Sequence, residues 1–217
     1  MSKVQAKLFP SQILPTQVLP SEVLPSEVSQ PYTEVQHISR AEEWAKNAAI
    51  VIGASLFVAV CARVTVPLPF TPVPLTLSNF GVLAVALTLG SRRGFLALAL
   101  YLAEGAMGLP VFSPGPGGVA QLMGATGGFL MAYPFVAFVA GWIYERSSRS
   151  FAWGAVAGTA AEIVLFCGGL SWLFVFTHSL AQAVRWGLYW FVFAEVIKIM
   201  LAAGIAGTWK RRFSARA

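Results

Sequence analysis

The sequence predicts an all-α integral membrane protein, a bundle of six transmembrane helices with ligand-covering extracytoplasmic loops. Of its 217 residues, 57% are hydrophobic and only 11% are charged, which is typical of a polytopic membrane protein. Residues 105–144 contain no Lys, Arg, Asp or Glu over 40 positions, so they cannot form a soluble surface. Because this run holds many Gly and Pro residues, it predicts several helices joined by tight loops in or against the membrane.

The N-terminal region differs in composition from the rest of the chain. Residues 9–28 hold four copies of a five-residue unit, FPSQI, LPTQV, LPSEV and LPSEV. A proline at every fifth position prevents a regular helix, so we predict an extended or disordered tail over residues 1–40. A plain linker explains this tail better than a partner-docking motif. We predict a membrane domain over residues 41–212 and a basic tail over 213–217.

Six apolar segments follow the tail, and each is a candidate membrane span, for which about 20 apolar residues are needed. They lie at 44–64, 77–89, 92–109, 126–144, 151–176 and 186–209. The second segment is short, which predicts that it is tilted or partly buried by its neighbours. The loops between alternate spans are then 65–76, 110–125 and 177–185.

The basic residues predict the orientation of these spans. With six spans, twelve basic residues fall on one side: Lys3, Lys7, Arg40, Lys46, Arg92, Arg93, Arg146, Arg149, Lys210, Arg211, Arg212 and Arg216. The opposite side keeps only Arg63 and Arg185. Cytoplasmic loops carry the excess of Lys and Arg, so both termini are predicted in the cytoplasm. The net charge of +6 therefore indicates contact with membrane lipid and no nucleic-acid partner.

Four ionisable residues lie within the predicted spans, where they are costly: Glu104, Glu162, Glu195 and Lys198. Glu195 and Lys198 are three positions apart and share one helix face. They are either a self-neutralising pair that helps insertion or part of a ligand site. In a ligand site, Lys198 would meet an anionic group and Glu195 would accept N–H donors. For Glu104 and Glu162 a structural role is the better interpretation.

Two loops are candidate lids over a ligand. The segment VFSPGPGGVAQLMGATGG is rich in glycine, which lets the backbone approach a ligand closely, and TPVPLTL is the second candidate. A short re-entrant connection without a ligand is the alternative. Phe112 and Trp172 lie on the side of the predicted extracytoplasmic loops and could form an apolar wall around a ligand.

Small residues recur every fourth position on the first span, at Ala45, Ala49 and Gly53, so another helix can pack closely there. That helix belongs either to this chain or to a partner subunit.

An enzyme is not predicted. Ser171 and His178 are seven positions apart, about 10 Å along a helix, and cannot form a nucleophile–base pair. The chain contains no Asp and no phosphate-binding loop, so any ATP hydrolysis belongs to a separate polypeptide. No metal and no cofactor are predicted.

Several segments resemble the BioY family, the biotin-specific substrate-binding (S) components of energy-coupling factor (ECF) transporters. They are VPLPFTPVPLTL, LGSRRG, YLAEGAMGLPVFS, GATGGFL and GGLSWL, and the resemblance covers residues 44–209. The family's Asp-x-x-Lys is matched here by Glu195-Val-Ile-Lys198. This sequence departs from the family pattern at Glu195 (for Asp), Ala125 (for Pro), Phe129 (for Tyr) and Ser78 (for Gln).

The resemblance implies capture of biotin on the outer side of the membrane by six helices. Lys198 would contact a ligand oxygen, and Glu195 would hold Lys198 or accept a ureido N–H. Phe112, Tyr101 and Trp172 would wall the ligand, with backbone groups near Thr76, Ser113 and Gly118 closing the lid.

The resemblance further implies a transmembrane coupling subunit and two ATPase subunits as partners, with Ala45, Ala49 and Gly53 as the candidate docking face. Two alternatives stay open, an S component for another vitamin and a stand-alone facilitator or channel that needs no ATPase.

Overall fold

The computed structural model describes residues 30–113, 115 and 117–214. The described residues divide into two units at the boundary between Glu42 and Glu43, and the unit that begins at Glu43 contains every contact discussed below. The pentapeptide repeat lies outside the described residues, and the predicted domain bounds stay predictions.

The predicted all-α architecture is confirmed, since the described residues form eight helices and one short β-hairpin. In chain order the elements are α1 (Gln30–Arg63), β1 (Thr65–Val66), β2 (Leu75–Thr76), α2 (Ser78–Leu89), α3 (Ser91–Ala106), α4 (Val119–Leu122), α5 (Gly127–Glu145), α6 (Phe151–Thr177), α7 (Leu180–Gly187) and α8 (Val192–Ser214). The hairpin is antiparallel and pairs Thr65 with Thr76 and Val66 with Leu75. It lies within the predicted loop 65–76, and α4 lies within the predicted loop 110–125.

Three of these helices are long and apolar enough to cross a membrane among the residues that the structure describes. They are Arg40–Arg63, Gly127–Glu145 and Phe151–Thr177, and a pair bent by 46°, Leu180–Gly187 with Val192–Thr208, could form a fourth span. The helices α2 and α3 are shorter, with 12 and 16 residues. The count of six spans therefore stays a prediction, and α1 starts well before the predicted residue 44.

The prediction of a loop at 177–185 is wrong, because Leu180–Gly187 forms α7, and the span predicted at 186–209 is interrupted between Gly187 and Val192. His178 ends α6 in a left-handed conformation, and α7 starts directly afterwards. The Ser179 side chain accepts a hydrogen bond from the Gln182 backbone N–H at 3.4 Å, which is the usual way in which serine caps a helix N-terminus. The chain then breaks between Gly187 and Val192 before α8 continues at a new angle.

The short helix α2 lies inside the bundle, as its length predicted. It packs against α3, α5 and α8, and nine of its twelve residues are buried. A helix that is apolar on all sides is stable only where other elements cover it. Its first turn meets the β-hairpin, and this position brings Ser78 and Asn79 into the interior.

The helices α5 and α6 approach each other closely because glycines face each other at their contact. A Cβ atom on Gly128 would lie 2.2 Å from the Trp172 Cβ atom and 2.6 Å from the Gly168 carbonyl oxygen. No larger residue fits at position 128 without moving a helix. The outward faces of α6 and α8 carry exposed apolar side chains, among them Ile163 and Phe193, as expected for surfaces that face lipid.

Candidate functional site

A cavity lies where the hairpin, the first turn of α2 and the first turns of α8 meet α3, α5 and α6. About 590 Å³ of it is not filled by protein atoms, including the part that opens to the exterior. Its polar lining consists of Thr76, Ser78, Asn79, Ser113, Thr126, Glu195 and Lys198. Its apolar and aromatic lining consists of Ala62, Val73, Pro74, Tyr101, Phe129, Leu130, Tyr133, Leu165, Phe166 and Phe191.

The charged end of the cavity is built on α8. Lys198 Nζ donates to Glu195 Oε1 at 2.7 Å, and the two side chains are only 8% and 7% exposed. One helical turn places them side by side, as the spacing of three predicted. At this burial the attraction between the charges is only weakly screened by water.

Asn79 joins this ion pair to a second carboxylate. Its Nδ2 donates to Glu195 Oε2 at 2.6 Å and to Glu162 Oε1 at 2.5 Å, so α2, α6 and α8 meet at one amide. Asn79 Oδ1 and Glu162 Oε2 are buried without a hydrogen-bond partner among the described residues. With all groups ionised, the cluster holds two carboxylates and one ammonium and has more acceptors than donors. Such a cluster suits a ligand that brings N–H groups.

Hydroxyl groups form a second polar strip on the cavity wall. The Ser78 and Tyr133 hydroxyls are 2.8 Å apart, and Ser78 also contacts the Thr76 hydroxyl. The Ser113 hydroxyl lies 2.7 Å from that of Thr65, which ties the loop after α3 to the hairpin. The Thr65–Ser113 contact holds the glycine-rich lid segment against the first strand of the hairpin, and the second strand belongs to the other predicted lid segment.

Five of the eight predicted ligand-binding residues lie on this cavity: Lys198, Glu195, Tyr101, Thr76 and Ser113. The structure does not bring the other three, Phe112, Trp172 and Gly118, to its wall.

Phe112 is fully buried behind Tyr101, with the ring centroids 5.3 Å apart in an edge-to-face arrangement. Its ring fills the space above Gly105, where a Cβ atom would lie 2.1 Å from Phe112 Cζ. Gly118 donates its backbone N–H to the Gly105 carbonyl at 2.7 Å, and its φ of +86° favours glycine. Both residues therefore hold the loop after α3 in place from behind.

Trp172 lies in an outward groove between α5 and α6 together with Cys167 and Ser171. Its Nε1 donates to the Gly124 carbonyl at 2.8 Å, which fastens the C-terminal end of the glycine-rich lid segment. Trp172 therefore contacts the backbone of the glycine-rich lid segment from outside the cavity.

Sequence reasoning missed Asn79 and the aromatic residues Tyr133, Phe166 and Phe191. Asn79 carried a signal, because it is an amide in the apolar segment SNFGVLAVAL, and a polar group at that depth requires a partner. The aromatic residues carried none, since aromatic side chains are frequent all along these spans. Glu162 was assigned a structural role, and the structure places it behind Asn79.

These features define a helical protein of membrane-type composition with an internal cavity of apolar walls and a few converging polar groups, which is the usual form of a small-molecule site. The model of the BioY family matches residues 31–215, most of the chain. The chain belongs to the BioY family.

Several relatives carry the same family name. The biotin transporter BioY of Thermotoga maritima is 38% identical over 157 residues, 72% of this chain and 92% of the relative. The biotin transporter BioY2 of Lactococcus lactis is 33% identical over 153 residues, 70% of this chain and 82% of the relative. The biotin transporter BioY of Rhizobium etli is 34% identical over 158 residues, 69% of this chain and 84% of the relative.

The fold also matches a solved structure. A crystal structure of the S-component for biotin from an ECF-type ABC transporter superimposes with a TM-score of 0.71, over 78% of this chain and 93% of that one. At 24% sequence identity this match shows a common fold.

Proposed function

We propose that this chain captures biotin on the outer side of the bacterial cytoplasmic membrane, as the S component of an ECF transporter. The observation that carries the proposal is the buried Lys198–Glu195 pair, joined through Asn79 and facing a cavity with aromatic walls. Membership in the BioY family, whose relatives are named biotin transporters, supports the choice of ligand.

The cavity has groups that match each part of biotin. Biotin has a carboxylate, an apolar chain with a thioether ring, and a ureido group with two donors and one acceptor. Lys198 would donate to a ligand oxygen, while Asn79 Oδ1 and the Glu195 carboxylate would accept ureido N–H groups. Phe129, Phe166 and other apolar wall residues would contact the ring and chain.

The hairpin and the loop after α3 would open and close the site. The Thr65–Ser113 contact is a hydrogen bond between these segments, so opening would break it. Phe112, Gly118 and Trp172 would set the shape of the closed loop through the contacts described above, which differs from the direct ligand contact expected from the sequence.

Transport would need partners that this chain does not supply. Ala45, Ala49 and Gly53 are exposed on one face of α1, and a Cβ atom at Gly53 would meet nothing within 4 Å. A helix of a transmembrane coupling subunit would pack on this face, and two separate ATPase subunits would supply the energy. Both termini would lie in the cytoplasm.

Equilibrium binding of labelled biotin to the detergent-purified chain, from cells grown without biotin, tests the proposal. Unlabelled biotin, thiamine and riboflavin serve as competitors, and Lys46→Ala on the exposed surface of α1 serves as the control for Lys198→Ala. We expect one labelled biotin per chain, displaced only by unlabelled biotin. Lys198→Ala should lose biotin binding, and Lys46→Ala should keep it. Displacement by another vitamin would support the sibling S component, and biotin uptake into liposomes without an ATPase would support a stand-alone facilitator.

A further inference from the structure

A second cavity lies at the opposite ends of α2 and α5 from the biotin site. About 1060 Å³ of it is not filled by protein atoms, including the part that opens to the exterior, and it lies between the end of α5 and the start of α3. Its charged lining is formed by Arg92, Arg93, Arg146 and Glu145. Nothing in the proposed capture of biotin uses this cavity.

The positive charge of this cavity is not neutralised by its one carboxylate. Both oxygens of Glu145 are engaged by Ser91, through its backbone N–H at 3.0 Å and its hydroxyl at 2.7 Å. Within the part of the chain that the structure describes, the single ion pair is Lys198–Glu195. Among the described residues the three arginines therefore have no carboxylate within bonding distance, and they leave a net positive charge on the cavity lining.

An apolar track continues from these arginines along α5. The Arg146 guanidinium lies 4.4 Å above the Trp142 ring, and Trp142, Phe138 and Phe135 follow at spacings of four and three on one helix face. These three rings are 44%, 41% and 58% exposed. From Arg146 to Phe135 the helix rises about 16 Å, close to half of the roughly 30 Å hydrocarbon core of a bilayer.

We propose that this cavity binds one anionic phospholipid. The phosphate of its headgroup would lie among Arg92, Arg93 and Arg146, and one acyl chain would follow the aromatic track toward the middle of the membrane. Arginine suits a phosphate because its planar guanidinium donates two parallel hydrogen bonds. The track has the length of one leaflet, which a phospholipid fills and a free phosphate ion does not.

The binding of defined lipids to the delipidated, detergent-purified full chain tests the proposal. Native mass spectrometry would count bound phosphatidylglycerol and, in a parallel sample, phosphatidylcholine of the same chain length. We expect one tightly bound phosphatidylglycerol per chain. Each arginine changed to glutamine should weaken it about fivefold, since a basic residue near an anionic surface contributes about 1 kcal/mol. The variants are Arg92→Gln, Arg93→Gln and Arg146→Gln.

Arg149→Gln is the matched control, since this exposed arginine lies on the same loop but outside the cavity lining. It should retain wild-type lipid binding. Equal weakening by Arg149→Gln and Arg146→Gln would show general surface attraction and overturn the proposal. Equal binding of the two lipids would overturn it as well, and so would displacement of phosphatidylglycerol by millimolar inorganic phosphate. Biotin binding measured on the same variants should not change, which separates this site from the proposed function.

Discussion

Replacing Lys198 tests whether the buried charge cluster serves the ligand or only the fold. Lys198→Met removes the ammonium but keeps a long apolar side chain. Glu195, 7% exposed, then keeps its bond from Asn79 and loses the charge 2.7 Å away. Removing one partner of a buried ion pair costs about 3–5 kcal/mol, because the other charge is left uncompensated. For a chain of this size that corresponds to a fall in melting temperature of roughly 6–20 °C.

The double variant Glu195→Gln with Lys198→Met separates the two roles. Its glutamine can still accept the Asn79 hydrogen bond, and no unpaired charge remains from the pair. Neutral replacement of a buried ion pair is often without cost, so the double variant should recover to within about 1 kcal/mol of wild type. If Lys198 donates to biotin, however, affinity should not recover. The loss of a buried charged hydrogen bond is about 2 kcal/mol or more, at least about 30-fold in Kd.

Both quantities are measurable on the same samples. Thermal unfolding followed by tryptophan fluorescence gives stability, and titration with labelled biotin gives Kd. We expect stability to recover in the double variant while Kd stays at least about 30-fold weaker than in wild type. Recovery of biotin affinity together with stability would refute the ligand role of Lys198 and leave a purely structural pair.

Substitutions at three further positions test other parts of the structure. Glu162→Gln should keep the melting temperature, because its amide oxygen can still accept the hydrogen bond from Asn79 Nδ2. It should change biotin Kd less than about twofold, because residue 162 lies behind Asn79 and outside the cavity lining. Glu162→Leu should weaken binding about fivefold or more in the same titration, since it removes an acceptor from Asn79. Gly128→Ala should lower the melting temperature by several degrees because of the close approach of Trp172, while Gly53→Ala should not. Gly53→Leu should keep biotin binding but abolish co-purification with the coupling module, and intact co-purification would contradict the proposed docking face.

The sequence was sufficient for those features that depend on spacing along one helix. The spacing of Glu195 and Lys198 alone placed them side by side, and the structure places them within 2.7 Å of each other. The short length of the second span predicted that it is tilted or partly buried, and nine of the twelve residues of α2 are buried. Local chemistry also held a signal for α7, because Ser179 with Gln182 three positions later is a capping pattern at a helix start.

The features that sequence reasoning missed depend on how the helices pack together. Asn79 matters because α6 and α8 bring two carboxylates to it, and neither helix is near it in sequence. The ring of Phe112 points behind the cavity wall because Gly105, which has no side chain, leaves space there. An aromatic residue in a glycine-rich loop can therefore either line a cavity or pack behind the residues that line it. Which of the two positions it takes depends on the packing of the neighbouring elements.

The hydrogen-bonded cluster around Asn79 faces the cavity and also joins α2, α6 and α8. A single substitution in this cluster therefore affects both ligand binding and helix packing. Asn79, Glu162 and Glu195 come from different helices, and each is polar in an otherwise apolar segment that lipid cannot solvate. A variant that breaks one of their bonds therefore changes the packing of α2 against α6 or α8 as well as the groups presented to a ligand. Stability and affinity must be measured together, because only substitutions that preserve the hydrogen bonds between helices and remove the charge can assign a loss of binding to the site itself.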